Sequence, residues 1–303
     1  MSSAWLFPGQ GSHHVGMATG WANRSPAARD ALAEAAAVLG YDLPALMADG
    51  PAETLEETSH QQPALLVAAV AALRGSAGTI PPPAFVAGHS VGEYAALVAS
   101  GAVGYPDALR LVQARATLMR EAGRRHPGGM AAILGLDDGV VEATCATVPG
   151  VQVGNYNAPG QVVISGTVDG VAQACEALQA AGAKRIVPIR ITVAAHSHLM
   201  AEAAAEFNAR VDALAVTNAG VPVVANVTAA PITAADDLRA EMRAQLTHAV
   251  RWTSSVETML AAGVRTFYEI GPGTVLGGLV KRVARGWPDA EITVHALGEP
   301  PER

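Results

Sequence analysis

A serine set between two glycines, Gly88-His89-Ser90-Val91-Gly92, follows an apolar run and precedes a long apolar helix pattern. That spacing suits a nucleophile elbow, a strained strand-to-helix turn in which glycines on either side let backbones pass without Cβ clashes. The turn would lift the hydroxyl into the open and bring N–H groups and a helix N-terminus to where an oxyanion forms. Serine is a poor nucleophile until a base takes its proton, and histidine is the usual base near neutral pH. Of the nine histidines, His89 adjoins the serine, where an elbow turns its neighbours away, and reads as packing. His60, His126, His248 and His295 lie in loop-like or helix-end contexts and read as surface residues. His196 and His198 share a loop after a strand, and a loop re-entering a cleft is a natural source of a base. Sequence context does not separate the two. A triad also needs a carboxylate to orient the imidazole. Glu269 and Asp289 are candidates, but neither context singles one out, which leaves a backbone carbonyl or amide for that task.

The elements that must position these groups alternate in type. A buried strand, Ala4–Pro8, runs into a Gly-rich turn, and Ser25–Leu39 has helix periodicity with Ser25 as N-cap and proline in the first turn. Gln62–Leu73 is apolar on nearly all sides and should be central. Tyr105–Ala122 reads as a long helix closed by Gly123. From His126 the pattern becomes strand (Met130–Leu136), helix (Asp137–Thr147), strand (Val151–Tyr156), a turn at Asn157-Ala158-Pro159-Gly160, strand (Gln161–Ser165), helix (Asp169–Ala181) and strand (Lys184–Ile191). This βαββαβ order predicts a ferredoxin-like subdomain, residues 128–194, inserted into an α/β domain made of 1–127 and 195–303. The chain then returns to helix (Ser197–Leu214), strand (Val221–Val227), helices (Ala234–Thr247 and Ser254–Ala262), strand (Thr266–Ile270) and a last helix (Gly271–Ala284). Alternating β and α elements imply a mainly parallel sheet covered on both faces.

Composition narrows the class. The chain has 303 residues, half of them hydrophobic and 16% charged, enough for a large core. A net charge of −7 argues against a broad nucleic-acid-binding face. Arg110, Arg120, Arg124 and Arg125 read as a solvated helix face. No apolar run reaches bilayer length, and the start of the chain lacks a secretory pattern. Cys145 and Cys175 lack metal or redox spacing and read as buried thiols of a cytoplasmic protein. No resident metal or cofactor is expected.

Five blocks carry a resemblance: Leu6-Phe7-Pro8-Gly9-Gln10-Gly11-Ser12, Gln61-Gln62-Pro63-Ala64-Leu65, Gly88-His89-Ser90-Val91-Gly92-Glu93-Tyr94, the stretch from Asn157 to Gly166, and Tyr268-Glu269-Ile270-Gly271-Pro272-Gly273. In order and with ordinary spacing, from near Ala4 to Ala284, they resemble the malonyl-coenzyme A:acyl carrier protein transacylases and the acyltransferase domains of polyketide synthases. That family has an α/β-hydrolase-like core with a ferredoxin-like subdomain. The resemblance implies Ser90 as the residue that holds the acyl group and His196, ahead of Leu199-Met200, as its base. It implies Gln10 and Val91 as backbone donors to the oxyanion, and a Gln245 backbone carbonyl as orienter of the histidine. Arg115 matches the arginine that pairs with the malonyl carboxylate, a role suited to its planar fork of donors. Met119 would line the acyl pocket, and Gln62 and Asn157 match other cleft positions.

The family commonly carries serine or phenylalanine before the histidine, and here Ala195 leaves more room near the substrate's C2 for a branched extender. Val91 matches the malonyl-using members, and together with Arg115 it favours malonyl. The implied activity is malonyl transfer from malonyl-CoA to the phosphopantetheine thiol of an acyl carrier protein, in fatty-acid or polyketide synthesis. Ketosynthase or polyketide synthase modules are further implied partners, with no nucleic acid and no membrane. The rival readings are a carrier-clearing acyl hydrolase of the same fold, a generic serine esterase and a non-catalytic carrier-docking module. Arg115 counts against the first, and the missing carboxylate against the second. The assembled nucleophile, base and anchor count against the third.

Overall fold

The computed structural model describes residues 2–189, 191 and 193–300. Its strands are β1 (Ser2–Phe7), β2 (Phe85–Gly88), β3 (Gly128–Leu134), β4 (Val151–Ala158), β5 (Gln161–Thr167), β6 (Arg185–Ile189), β7 (Val223–Val224), β8 (Pro231–Ile232), β9 (Val264–Glu269) and β10 (Thr293–Ala296). They form a six-stranded sheet in the order β10-β9-β1-β2-β7-β8 and a separate four-stranded sheet in the order β4-β5-β3-β6. The first sheet is parallel except for the β7/β8 pair, and the second is antiparallel throughout.

Side-chain alternation along β1 builds two cores at once. Ala4 and Leu6 pack with Trp252, Val256 and Val280 on one face, while Phe7 joins Leu65, Leu66 and Val112 on the other. A parallel sheet buried on both faces explains why these strands read as continuous apolar runs. The helix Thr58–Gly75 is buried along most of its length, as expected of a central helix. Pro63 inside it cannot donate to the Ser59 carbonyl one turn back. Gln113 Nε2, on the long helix Tyr105–Arg125, supplies that bond instead at 3.3 Å.

In the smaller sheet the same alternation points Ala131 and Ile133 toward the helices Asp138–Thr147 and Val168–Ala180. Met130 and Val163 face the main core. Among the described residues no helix is long and apolar enough to cross a membrane.

Several expected elements differ in extent. The helix from Tyr105 runs through Gly123 to Arg125, because one glycine in helical geometry costs only about 1 kcal/mol against alanine. The stretch 197–214 opens with a tight turn, His198–Met200, in which the Ser197 hydroxyl accepts from the Leu199 N–H; its α-helix is Ala201–Asp212. The last helix starts at Val275 rather than Gly271, since Gly271 and Gly273 hold φ of 127° and 80°. The strand expected over 221–227 keeps only Val223–Val224, and Asn226 leaves the ladder to bond the elbow. The expected strand through Ile191 ends at Ile189, and Arg190 lies outside the described residues. The short strand Thr293–Ala296, parallel to β9, had no expectation attached to it.

Candidate active site

The main sheet switches direction at β1: the chain proceeds outward through β2 and β7, then returns to the other side of β1 with β9. Ligands of open α/β sheets bind beyond the carboxyl ends of strands at such a point. Gln10 follows β1 and Ser90 follows β2, so both arrive there. The elbow glycines are required sterically. A Cβ on Gly88 would lie 2.1 Å from the Gly92 carbonyl carbon, and one on Gly92 would lie 2.1 Å from the Phe7 carbonyl oxygen. Ser90 itself has φ of 52°, a left-handed conformation rare outside glycine, just before the helix Gly92–Ala99.

Ser90 Oγ lies 2.8 Å from His196 Nε2. His196 Nδ1 lies 2.9 Å from the Gln245 carbonyl oxygen and 3.2 Å from that of His248. Both are acceptors only, so Nδ1 carries the proton and the Nε2 lone pair faces the hydroxyl. Two backbone carbonyls therefore stand where a triad has its carboxylate. Glu269 is not an orienter. Its carboxyl accepts from the Leu276 and Gly277 N–H groups at 2.9 and 2.7 Å and caps the last helix. His198 turns away to Gln152 at 3.0 Å, which separates it from His196.

Burial, and after it the Arg115 charge, lower the pKa of His196 to about 3. The imidazole is thus neutral, as a base must be, far below the ordinary histidine range. The acid limb of kcat/KM for acylation should accordingly fall well below pH 6.5. At pH 5.5 the protein should keep most of its rate, where an unperturbed histidine would leave about a tenth. A limb centred between pH 6 and 7 would show that the base is not held neutral in this way.

Arg115 is 1% exposed on the helix Tyr105–Arg125. Its guanidinium donates to Ser90 Oγ at 3.2 Å, to Gln245 Oε1 at 3.0 Å and to Gln62 Oε1 at 2.5 Å. Its Cζ lies 5.7 Å from the Tyr94 ring centroid. All three oxygens are neutral, so the cation is oriented but meets no carboxylate within contact among the described residues. Gln62 also bonds Met119 Sδ at 3.4 Å, which ties those two positions to the arginine.

A cavity of about 340 Å³ opens over these groups, lined by Gln10, Ser90, Met130, Asn157, Ala195 and His196 among others. Arg115, Gln62, Met119 and Gln245 are not among its lining residues: Met119, expected to line the acyl pocket, instead meets Gln62, and Arg115 comes closest through Ser90 Oγ. Val91 is buried at the start of the elbow helix, and neither its backbone N–H nor that of Gln10 finds an acceptor among the described residues. Gln10 is anchored through its side chain, which donates to Gln61 Oε1 at 2.6 Å and Thr58 Oγ1 at 3.1 Å. Asn157 Oδ1 meets His89 Nε2 at 2.8 Å, so His89 packs against Trp252 while touching the cleft wall. The Ala195 carbonyl is held by Ser165 Oγ at 2.7 Å, which ties the base's loop to the smaller sheet.

Sequence reasoning missed Asn226, whose Oδ1 accepts the Ser90 N–H at 2.8 Å. The signal for it was a polar residue ending an apolar run at a strand's carboxyl edge. It also missed His13, which lines the cavity and contacts Gln61 at 3.0 Å.

The acyl transferase domain profile matches residues 4–295. The chain is 44% identical to the malonyl CoA-acyl carrier protein transacylase of Escherichia coli K12, over 98% of this chain and 96% of that one. It is 43% identical to the enzyme of the same name from Bacillus subtilis 168, over 93% and 90%. Among solved structures, a malonyl-transacylase in complex with its type II polyketide synthase acyl-carrier protein superposes with a TM-score of 0.94 at 39% identity, covering 99% and 97%. An acyl carrier protein S-malonyltransferase from Vibrio cholerae gives 0.94 at 40%, covering 99% and 98%. A match across nearly the whole chain, meeting a serine elbow with a paired histidine, makes this protein a member of the acyl transferase domain family.

Proposed function

We infer that the chain moves a malonyl group from malonyl-CoA to the phosphopantetheine thiol of an acyl carrier protein through an ester on Ser90. The observation that carries this reading is the position of Ser90 Oγ, 2.8 Å from His196 Nε2 and 3.2 Å from the Arg115 guanidinium. An acyl group esterified to Ser90 would have both base and cation within hydrogen-bond distance of its ester oxygen, with the cation on the side from which a second carboxylate could be held. The names of the relatives and of the carrier-bound neighbour agree with it.

His196 takes the Ser90 proton as Oγ attacks the thioester carbon. The oxyanion rests on the N–H groups of Gln10 and Val91, and coenzyme A leaves with the proton from His196. The carrier thiol then attacks the ester while His196 takes the thiol proton, and Ser90 recovers its hydrogen as the new thioester departs. Arg115 grips the far carboxylate through both steps. Asn157 and Ala195, on the cleft wall, border the acyl unit and its pantetheine arm.

The strand orders suit an α/β-hydrolase-like core and a ferredoxin-like subdomain. Two unpaired cysteines suit a reducing cytoplasm. A transacylase that acts in trans would serve a ketosynthase through the carrier. The small Ala195 side chain on the wall favours a second reading, tolerance of a branched malonyl extender.

Intact-protein mass spectrometry with malonyl-, methylmalonyl- and acetyl-CoA, with and without a carrier, tests the assignment. The expected result is a malonyl adduct that persists in water and moves to the carrier thiol. No adduct, or one that water removes as fast as the carrier does, would refute it in favour of a hydrolase.

A further inference from the structure

Glu93 stands three residues past the serine on an otherwise apolar helix and is 1% exposed. A carboxyl so buried needs partners, and its partners lead into the site. Oε1 accepts from the backbone N–H and the Nδ2 of Asn226, each at 2.9 Å, and Oε2 accepts from Gln245 Nε2 at 2.5 Å. Asn226 in turn accepts the Ser90 N–H at 2.8 Å and donates to the Gly88 carbonyl at 2.7 Å. Gln245 Nε2 donates to the Ser90 carbonyl at 3.1 Å, its Oε1 accepts from Arg115, and its backbone carbonyl accepts from His196. One carboxyl thus orients the two amides that hold the nucleophile's backbone on both sides and reach the arginine and the histidine.

We propose that Glu93 is a positioning residue for acyl transfer: its acceptor oxygens fix Asn226 and Gln245, and through them set Ser90, Arg115 and His196 in one register. The inference rests on the acyl-serine reading above. A second buried carboxyl, Glu241, lies within hydrogen-bond reach of Glu93 and accepts the Val227 N–H at 2.9 Å. Two carboxyls this close share one proton rather than both ionising. Burial first, and the Glu241 charge after it, raise the pKa of Glu93 well above the usual range; burial raises that of Glu241.

Amide substitution separates the two groups. In Glu241→Gln the new amide can hand Glu93 an N–H in place of the shared proton while its oxygen still accepts from Val227. In Glu93→Gln no orientation works: the new NH₂ faces either the donors of Asn226 or the Nε2 of Gln245. Each variant leaves one carboxyl in the pair, so the two differ in which partners that carboxyl serves rather than in how many carboxyls remain.

The test measures acyl-enzyme formation from malonyl-CoA and from acetyl-CoA for E93Q, E93D and E241Q, with melting temperature alongside. E93Q should acylate with malonyl about 10²-fold more slowly, the scale of a misplacement near 1 Å, and lose about tenfold of its preference over acetyl. E241Q should stay within about threefold of the wild type. E93D keeps the acceptors but withdraws them by one methylene; it should fall between, and it carries the test if E93Q does not fold. Wild-type rates and preference in E93Q, or in E93D where E93Q does not fold, overturn the proposal. So does an equal rate loss in E93Q and E241Q that follows melting temperature, the mark of a purely structural pair. Wild-type protein that takes no malonyl at all would instead sink the acyl-serine reading beneath it.

Discussion

Ser90→Ala should end covalent labelling by malonyl-CoA and lower transfer to a carrier by on the order of 10⁴-fold or more, the scale seen when a nucleophile–base unit is broken. The substitution is clean because of how the elbow is held. Among the described residues the Ser90 hydroxyl hydrogen-bonds only to His196 and Arg115, whereas the turn itself rests on backbone bonds to Asn226 and Gln245. Alanine keeps all of those backbone bonds, and its Cβ at φ near 52° is no more crowded than that of serine. The variant should therefore melt near the wild-type temperature, still bind malonyl-CoA, and show no mass gain. Undiminished malonyl labelling of S90A would remove Ser90 as the acyl carrier whatever the overall turnover. Loss of labelling with loss of folding would instead point to a structural demand on the hydroxyl that its two contacts do not suggest.

How much of this was legible depends on whether a role is local in sequence. The elbow was, since its glycine spacing answers steric demands within five residues, at Gly88 and Gly92. Helix starts with local chemistry were legible too: Ser25 accepts from Ala28 N at 3.3 Å as expected of an N-cap. The βαββ pattern was readable because each element there is long and strictly alternating. By contrast, 155 residues separate Ser90 from Gln245, and what orients the histidine is a backbone carbonyl, which any residue type supplies. Residue type therefore left the choice between His196 and His198 open, and family resemblance chose His196. The short β7 escaped for a related reason. Val221 to Val227 has strand composition, but Asn226 is drawn off the ladder by bonds to Glu93 and Ser90 that no local window contains. Glu93 did carry a signal, a lone charge inside an apolar helix, and such charges are rarely buried without a task.

Arg115→Ala should invert acyl preference. A buried guanidinium facing a carboxylate is worth about 2–5 kcal/mol when one partner is truncated, so malonyl kcat/KM should fall by about 10²-fold or more while acetyl is spared or gains. The argument turns on what the arginine lacks. Burial lowers its proton affinity, yet a guanidinium stays ionised, and its hydrogen bonds among the described residues go to the neutral oxygens of Gln62, Gln245 and Ser90, beside the Tyr94 ring. A cation whose direct partners are neutral dipoles is fixed in direction, and although the Glu93 carboxyl acts on it from farther off, an incoming carboxylate would be its first charged contact in a poorly screened site. A permanent aspartate or glutamate in direct contact would take that place before substrate arrived. Arg115→Lys separates charge from geometry: lysine keeps the cation but not the fork, and should recover only part of the malonyl rate. Equal malonyl and acetyl losses in Arg115→Ala would reassign the arginine to holding Ser90 Oγ alone. An unchanged ratio at wild-type rates would remove it from substrate selection altogether.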